Sequence, residues 1–289
     1  MAYLRAFVTG CTGETGKALI KYLAKDPRYS SVKLIQRRPT EVDYGSEAKE
    51  VENRFSQIIV DFDHLDNYKE VFQDTDVGFC ALGTTAWKSG KENLKKVDCD
   101  YVVRIAELSS AAGCKEFHVV TSKAAHAMSI SFYLKLKAEI ELNLICGNLF
   151  PKCLAIYRPG VLLCSRVESR PLERVFQILL KPISNIAPTL LTTPVDVLAK
   201  AMSRAPFCEK LTTEISSQHE VKLPKNIHIL ENRHIFELAS DDAFTVKFFV
   251  VVVVLILEGF NLNPIFSHSP FSVVFHFYSS TVNLLLVYY

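Results

Sequence analysis

Three glycines at three-residue spacing, Gly10, Gly13 and Gly16 in "FVTGCTGETGKALI", lie between an apolar run and a helical one. The chain has only eleven glycines in 289 residues, so this cluster needs a local cause. A loop that leaves a strand, turns sharply, lets a pyrophosphate approach its backbone and then opens a helix needs positions without side chains. A helix starting near Glu14 points its free amides and the positive end of its dipole at such phosphates, and Thr12 and Thr15 add hydroxyl donors. The spacing Gly-x-x-Gly-x-x-Gly is a variant of the dinucleotide fingerprint, and its weight comes from its place between a first strand and a first helix. A plain glycine turn is the competing reading.

The rest of the chain fits that start. Short β-rich runs at 5–10, 31–36, 56–61, 77–83, 116–122 and 153–160 alternate with helical periodicity at 14–25, 65–73, 91–112 and 131–149. This alternation predicts an α/β fold, a Rossmann-type doubly wound parallel sheet. In the third helix Val97, Tyr101, Val102, Ile105 and Leu108 recur at three-and-four spacing, and Gly113 closes the run. Beyond Gly160, "PLERVFQILL" and "TPVDVLAKAM" read as a small C-terminal helical part. The expected organisation is one domain over 1–240, binding NAD(P) and carrying a C-terminal substrate or partner part, then an atypical apolar tail over 241–289. No internal repeat is present.

A formal charge of +2, from 33 basic and 31 acidic residues, argues against nucleic acid as a direct partner. The eight cysteines form no Cys-x-x-Cys pair and read as reduced, mostly buried thiols. His64, His118 and His126 show no metal-ligand spacing, so no metal is expected, and His118 reads as a packed strand histidine. "MAYLRAFVTG" runs straight into the first strand without a signal-peptide pattern, which predicts a cytoplasmic address. In the tail, the uninterrupted apolar run Phe248 to Leu257 is shorter than the roughly 20 residues a membrane-spanning helix needs. Packed extra strands, a membrane anchor and a C-terminus created by atypical splicing or a gene-model error stay open for it.

Cofactor choice is expected at the end of the second strand. An acid there accepts from ribose hydroxyls and repels a 2′-phosphate, whereas arginine pairs with that phosphate. "LIQRRP" supplies Arg37 and Arg38 and no acid, which favours NADP(H) over NAD(H); two solvated surface arginines are the alternative. Asp61 can accept from the adenine amino group and Phe62 can cover the ring. Leu82, Gly83 and Thr84 in "ALGTT" put small groups beside the cofactor. All five also fit ordinary strand ends.

Tyr133 and Lys137 stand four residues apart and share a helix face. A phenol with a reference pKa of about 10 is a poor acid or base at neutral pH, but a nearby ammonium favours its ionised form. Tyr133 can then exchange a proton with a carbonyl or alcohol oxygen as hydride moves at a nicotinamide. Lys137 also holds the nicotinamide ribose, and Ser122 orients the substrate oxygen. Tyr-x-x-x-Lys is a frequent chance match, and an exposed pair on a solvated face is the alternative. A second instance, Tyr29 and Lys33, spans the predicted junction of first helix and second strand and is read as accidental.

Together, "GCTGETGK", "RRP", "VDF", "VGFCALGTT", "VDCDYV", "GCKEFHVVTSK", "YLKLKAE" and "YRPGVLLCSRVESRP" resemble the atypical short-chain dehydrogenase/reductases, in the Tat-interactive protein oxidoreductase branch. The likeness covers approximately residues 5 to 240. It implies an NADPH-bound Rossmann fold with Tyr133, Lys137 and Ser122 at the active site. It also implies a regulatory role in which the cofactor-bound protein contacts nuclear-transport receptors and influences transcription and apoptosis, in the cytoplasm and also the nucleus or nuclear envelope. The chain departs from the branch by starting at the first strand, by "VVTSKAA" in place of a double serine around Ser122, and by its apolar ending.

Overall fold

In the computed structural model the described residues are 3–47, 51–84, 86–163, 192–208 and 223–240. Those up to Ala239 belong to one compact unit. Its frame is a seven-stranded parallel sheet: β1 (Leu4–Thr9), β2 (Tyr29–Gln36), β3 (Phe55–Ile59), β4 (Val77–Cys80), β5 (Glu116–Val120), β6 (Cys153–Arg158) and β9 (Ile227–Glu231). The spatial order is β3-β2-β1-β4-β5-β6-β9. The order reverses between β1 and β4, which is where a doubly wound sheet opens a crevice at its carboxyl edge. A separate two-stranded parallel ladder joins β7 (Val161–Leu163) to β8 (Thr192–Pro194).

Helices cover both faces: α1 (Glu14–Lys25), α2 (Ala86–Lys95), α3 (Tyr101–Ala111), α4 (Phe132–Gly147), α5 (Val195–Arg204) and α6 (Asn232–Ala239). Parallel strands covered on both sides must be apolar on both sides. In β1 the alternation splits accordingly. Ala6 and Val8 pack with Leu19, Leu23, Leu198 and Met202 on one face, while Phe7 joins Ile105, Phe117, Leu136 and Ile140 on the other. Helix α1 follows its local chemistry, with Glu14 in the first turn and Lys25 in the last, each matched to the helix dipole.

Three expectations need correction. The helix over 65–73 is a kinked 3-10 stretch, Phe62–Phe72, with His64 and Tyr68 in non-helical conformation. The helix over 91–112 is divided by a π segment, Lys96–Asp100, on which the consecutive residues Val97, Asp98 and Cys99 are all buried. Tyr29 and Lys33 both lie in β2, where Lys33 Nζ donates to the carbonyls of Val71 and Gln73 at 3.2 and 2.7 Å. The sheet also has a seventh strand, β9, formed by "IHILE" beyond the six apolar runs of the sequence. Gly113, with φ +93°, does close α3 as the left-handed residue after the cap. The helix read into "PLERVFQILL" and the apolar tail both lie outside the described residues. Among the described residues no helix is long and apolar enough to cross a membrane.

Candidate active site

The loop after β1 is shaped by two glycines that the protein's own packing demands. Gly10 has φ +82°, and a Cβ on it would stand 2.4 Å from the Ala81 carbonyl group at the end of β4. A Cβ on Gly16 would stand 2.2 Å from the Gly10 carbonyl oxygen, so α1 can seat against the loop only because Gly16 is bare. Gly13 differs. A Cβ there would meet only the Gly10 oxygen at 3.4 Å, an ordinary contact. Its bareness is not required by the fold, and it leaves the loop open on its outer side. Gly13 is also the N-cap of α1, and no side chain caps that helix.

A cavity of about 410 Å³ opens on this loop, within the range of small-molecule sites. Gly10, Thr12 and Gly13 form one wall. Arg37 and Arg38 border it beyond β2, both exposed, and Leu82, Gly83 and Thr84 line it after β4. Phe62 lies beneath, packed against the Tyr101 ring at 5.5 Å between centroids. No carboxylate is among the described lining residues. An uncapped helix start, a bare Gly13 and a polar rim fit a dinucleotide, whose phosphates a helix N-terminus can bind. Thr15 and Gly16 are buried behind the loop, and Glu14 pairs with Lys17 at 3.5 Å. Asp61 does not line the cavity. Its carboxylate accepts from the Asp63 amide at 2.9 Å and meets His64 Nδ1 at 2.8 Å, contacts that hold its pKa below the usual carboxylate value.

Tyr133 and Lys137 share one face of α4 as the four-residue spacing requires, with Lys137 Nζ 5.6 Å from the Tyr133 ring centroid. Tyr133 is 37% exposed and Lys137 only 3%. A lysine buried this deeply needs a partner, and Asp98 supplies it: Oδ2 lies 3.0 Å from Lys137 Nζ. Burial works to lower the Lys137 pKa, but the Tyr133 and Asp98 oxygens outweigh it and the net direction is upward, so the ammonium is retained. The other oxygen of Asp98 accepts from the Thr84 amide at 2.7 Å. One buried carboxylate thus ties Lys137 on α4 to Thr84 on the cavity wall.

One turn further along the same face, buried Glu141 accepts from Thr121 Oγ1 at 2.6 Å and from Arg158 Nη2 at 2.5 Å. Arg158 also reaches Glu231 at 3.0 Å, fastening α4 to β6 and β9. Ser122 lies just past β5 in a turn where its carbonyl accepts from the Ala125 amide at 3.0 Å. Asp98, Glu141 and Arg158 had no place in the expected site. Asp98 had a legible signal, an acid three and four residues before Tyr101 and Val102 on the apolar face of a helical run.

The chain is similar to known proteins. Residues 6–131 match the NAD dependent epimerase/dehydratase family. Protein HTATIP2 of Rattus norvegicus is 37% identical over 235 residues, covering 81% of this chain and 89% of its own length. The chain belongs to the HTATIP2 family of atypical short-chain dehydrogenase/reductases. Protein FMP52, mitochondrial, of Debaryomyces hansenii is 33% identical over 180 residues, 60% of this chain and 74% of that protein. Among solved structures, MoeE5 in complex with UDP-glucose and NAD superposes with a TM-score of 0.53 at 16% identity, over 78% of this chain and 75% of its own. UDP-glucuronic acid 4-epimerase from Bacillus cereus in complex with NAD gives 0.53 at 17%, over 71% and 75%. These two likenesses are of fold. Family membership makes this chain a short-chain dehydrogenase/reductase-like oxidoreductase of an NAD(P)-dependent class.

Proposed function

We propose that this HTATIP2-family protein binds NADPH and reduces a small carbonyl compound, or oxidises the matching alcohol, with Tyr133 as the acid/base. The observation that carries the cofactor choice is the rim beyond β2: Arg37 and Arg38 border a cavity that no acid lines among the described residues. Two guanidinium groups there attract a 2′-phosphate, and no carboxylate repels it.

When bound, the nicotinamide supplies or accepts the hydride. The chain's own residues do the rest. The amides of the glycine loop hold the diphosphate, and Thr12 donates beside them. Tyr133, exposed at the end of α4, gives its phenolic proton to the substrate oxygen in reduction and takes it back in oxidation. Lys137 keeps a positive charge beside the phenol, and Asp98 keeps Lys137 in place while fixing the Thr84 amide. Ser122, after β5, is the candidate to orient the substrate oxygen. Titrating the pure full chain with NADPH and NADH tests the cofactor reading, and equal affinity for the two overturns it.

A second reading is a regulatory protein in which NADPH fixes a conformation for a nuclear-transport or transcription partner without turnover. The stretch entering α4 favours it, because Met128 is 82% exposed, Ile130 is 102% exposed and Phe132, the first residue of α4, is 37% exposed beside Tyr133. A screen of aldehydes, ketones and quinones without NADPH oxidation above background decides for this reading. We place the protein in cytoplasm and nucleus, whereas the FMP52 relative is named mitochondrial; fractionation of the full chain with and without 241–289 separates these addresses and tests the tail for membrane attachment.

A further inference from the structure

The face of the sheet turned away from α4 carries polar groups that the active site does not use. Glu116 and His118 on β5 and Cys153 on β6 are 3%, 0% and 4% exposed. In the parallel register Glu116 stands opposite Cys153, and His118 stands opposite Ala155. A carboxylate oxygen, a ring nitrogen and Sγ of these three residues all lie within 4.8 Å of one another. Residues 116, 118 and 153 carry no spacing motif, because the cluster is made by pairing two strands.

The hydrogen bonding of the cluster is incomplete on its inner side. Glu116 Oε1 pairs outward with Lys152 Nζ at 2.5 Å. His118 Nδ1 meets Tyr157 Oη at 2.9 Å. His118 Nε2 has no hydrogen-bond partner and stands 3.8 Å from Glu116 Oε2, too far for a hydrogen bond. On the neighbouring strand, His228 is opposite the small Ala155, and neither of its ring nitrogens has a partner. Three unpartnered ring nitrogens in one buried layer are unfavourable, since buried polar atoms are ordinarily satisfied.

We propose that Glu116, His118 and Cys153 form a buried binding site for a divalent cation of the zinc class. A mixed oxygen, nitrogen and sulfur donor set suits Zn²⁺, whereas Mg²⁺ and Ca²⁺ call for oxygen throughout. The site requires the three donors to be drawn to about 2.0–2.3 Å from a shared ion. Tyr157 and Lys152 are placed as outer partners, orienting the imidazole and the carboxylate. Binding converts the Cys153 thiol to a metal-bound thiolate and releases its proton to solvent. The site lies inside the core, so it is filled as the chain folds and acts on stability, not on turnover.

The test uses the full chain, refolded with and without added Zn²⁺ and, separately, with Co²⁺. The expected results are about one tightly held zinc per chain after dialysis against chelator, a higher Tm in the zinc-refolded protein, and a thiolate-to-cobalt charge-transfer band. Cys153→Ser should remove the band and the zinc-dependent rise in Tm, while the exposed Cys146→Ser should keep both. A band or a Tm shift that survives Cys153→Ser overturns the proposal. Should Cys153→Ser not fold, the unsubstituted chain decides alone: no retained zinc and no cobalt–thiolate band overturns it.

Discussion

The glycine loop and the Tyr133 face of α4 are the two halves of the site we propose, and they are built in opposite ways. The loop is made by leaving side chains out. Gly10 and Gly16 let backbone approach backbone at distances a Cβ would forbid, and Gly13 keeps the outer side open. The α4 face is made by burying charge: Lys137 on Asp98, and Glu141 on Arg158. The loop's geometry comes from backbone sterics, Gly16 against Gly10 within the segment and Gly10 against the Ala81 carbonyl after β4. That of α4 depends on Asp98 on the π segment and Arg158 on β6 arriving from elsewhere in the chain. Substitutions in the two halves should therefore fail differently, cofactor binding going with the loop and proton transfer or packing with α4.

The largest separation of the halves is expected from Tyr133→Phe, which should lower turnover by about 10²–10⁴-fold, the usual worth of a positioned acid/base. NADPH affinity should stay unchanged by fluorescence titration. If turnover survives, the proton comes from another group and the α4 half of the comparison breaks.

Next comes the buried pair. Lys137→Met leaves Asp98 charged without its cation and should cost about 3–5 kcal/mol in urea unfolding, as breaking a buried ion pair does. Asp98→Asn probes the same contact while retaining an acceptor for the Thr84 amide. Its cost should be smaller, and its loss should fall on kcat more than on NADPH affinity. Wild-type stability in both variants would mean that the Lys137–Asp98 contact holds nothing in place.

The glycines sharpen the comparison inside the loop. Gly16→Ala should destabilise the fold by about 1–3 kcal/mol, the cost of forcing a group into filled space. Gly13→Ala has room on the protein side and should leave Tm near that of the parent while weakening NADPH binding. Equal effects of the two on Tm would remove the distinction between a glycine kept for packing and one kept for a ligand.

The smallest effect is expected at the rim. Arg37→Ala combined with Arg38→Ala should weaken NADPH by about 10-fold or more, the worth of one charge-assisted hydrogen bond to a phosphate, and leave NADH nearly unaffected. Parallel losses for both cofactors would assign the arginines to general electrostatics.

What the sequence alone determined was the part written in neighbouring residues. The doubly wound sheet could be read because strands buried on both faces are continuous apolar runs, and helices between them repeat their apolar residues every three to four positions. The glycine loop was legible for the same local reason, and so was the shared face of Tyr133 and Lys137, which helical geometry alone guarantees. Only the tertiary structure decided which of those residues meet. Asp98 reaches Lys137 through the π segment, Asp61 turns to its own 3-10 stretch while Phe62 faces the cavity, and Glu116, His118 and Cys153 come together by strand pairing. Partners of a buried charge are chosen by desolvation and packing across distant segments, and no spacing within a single segment encodes that choice.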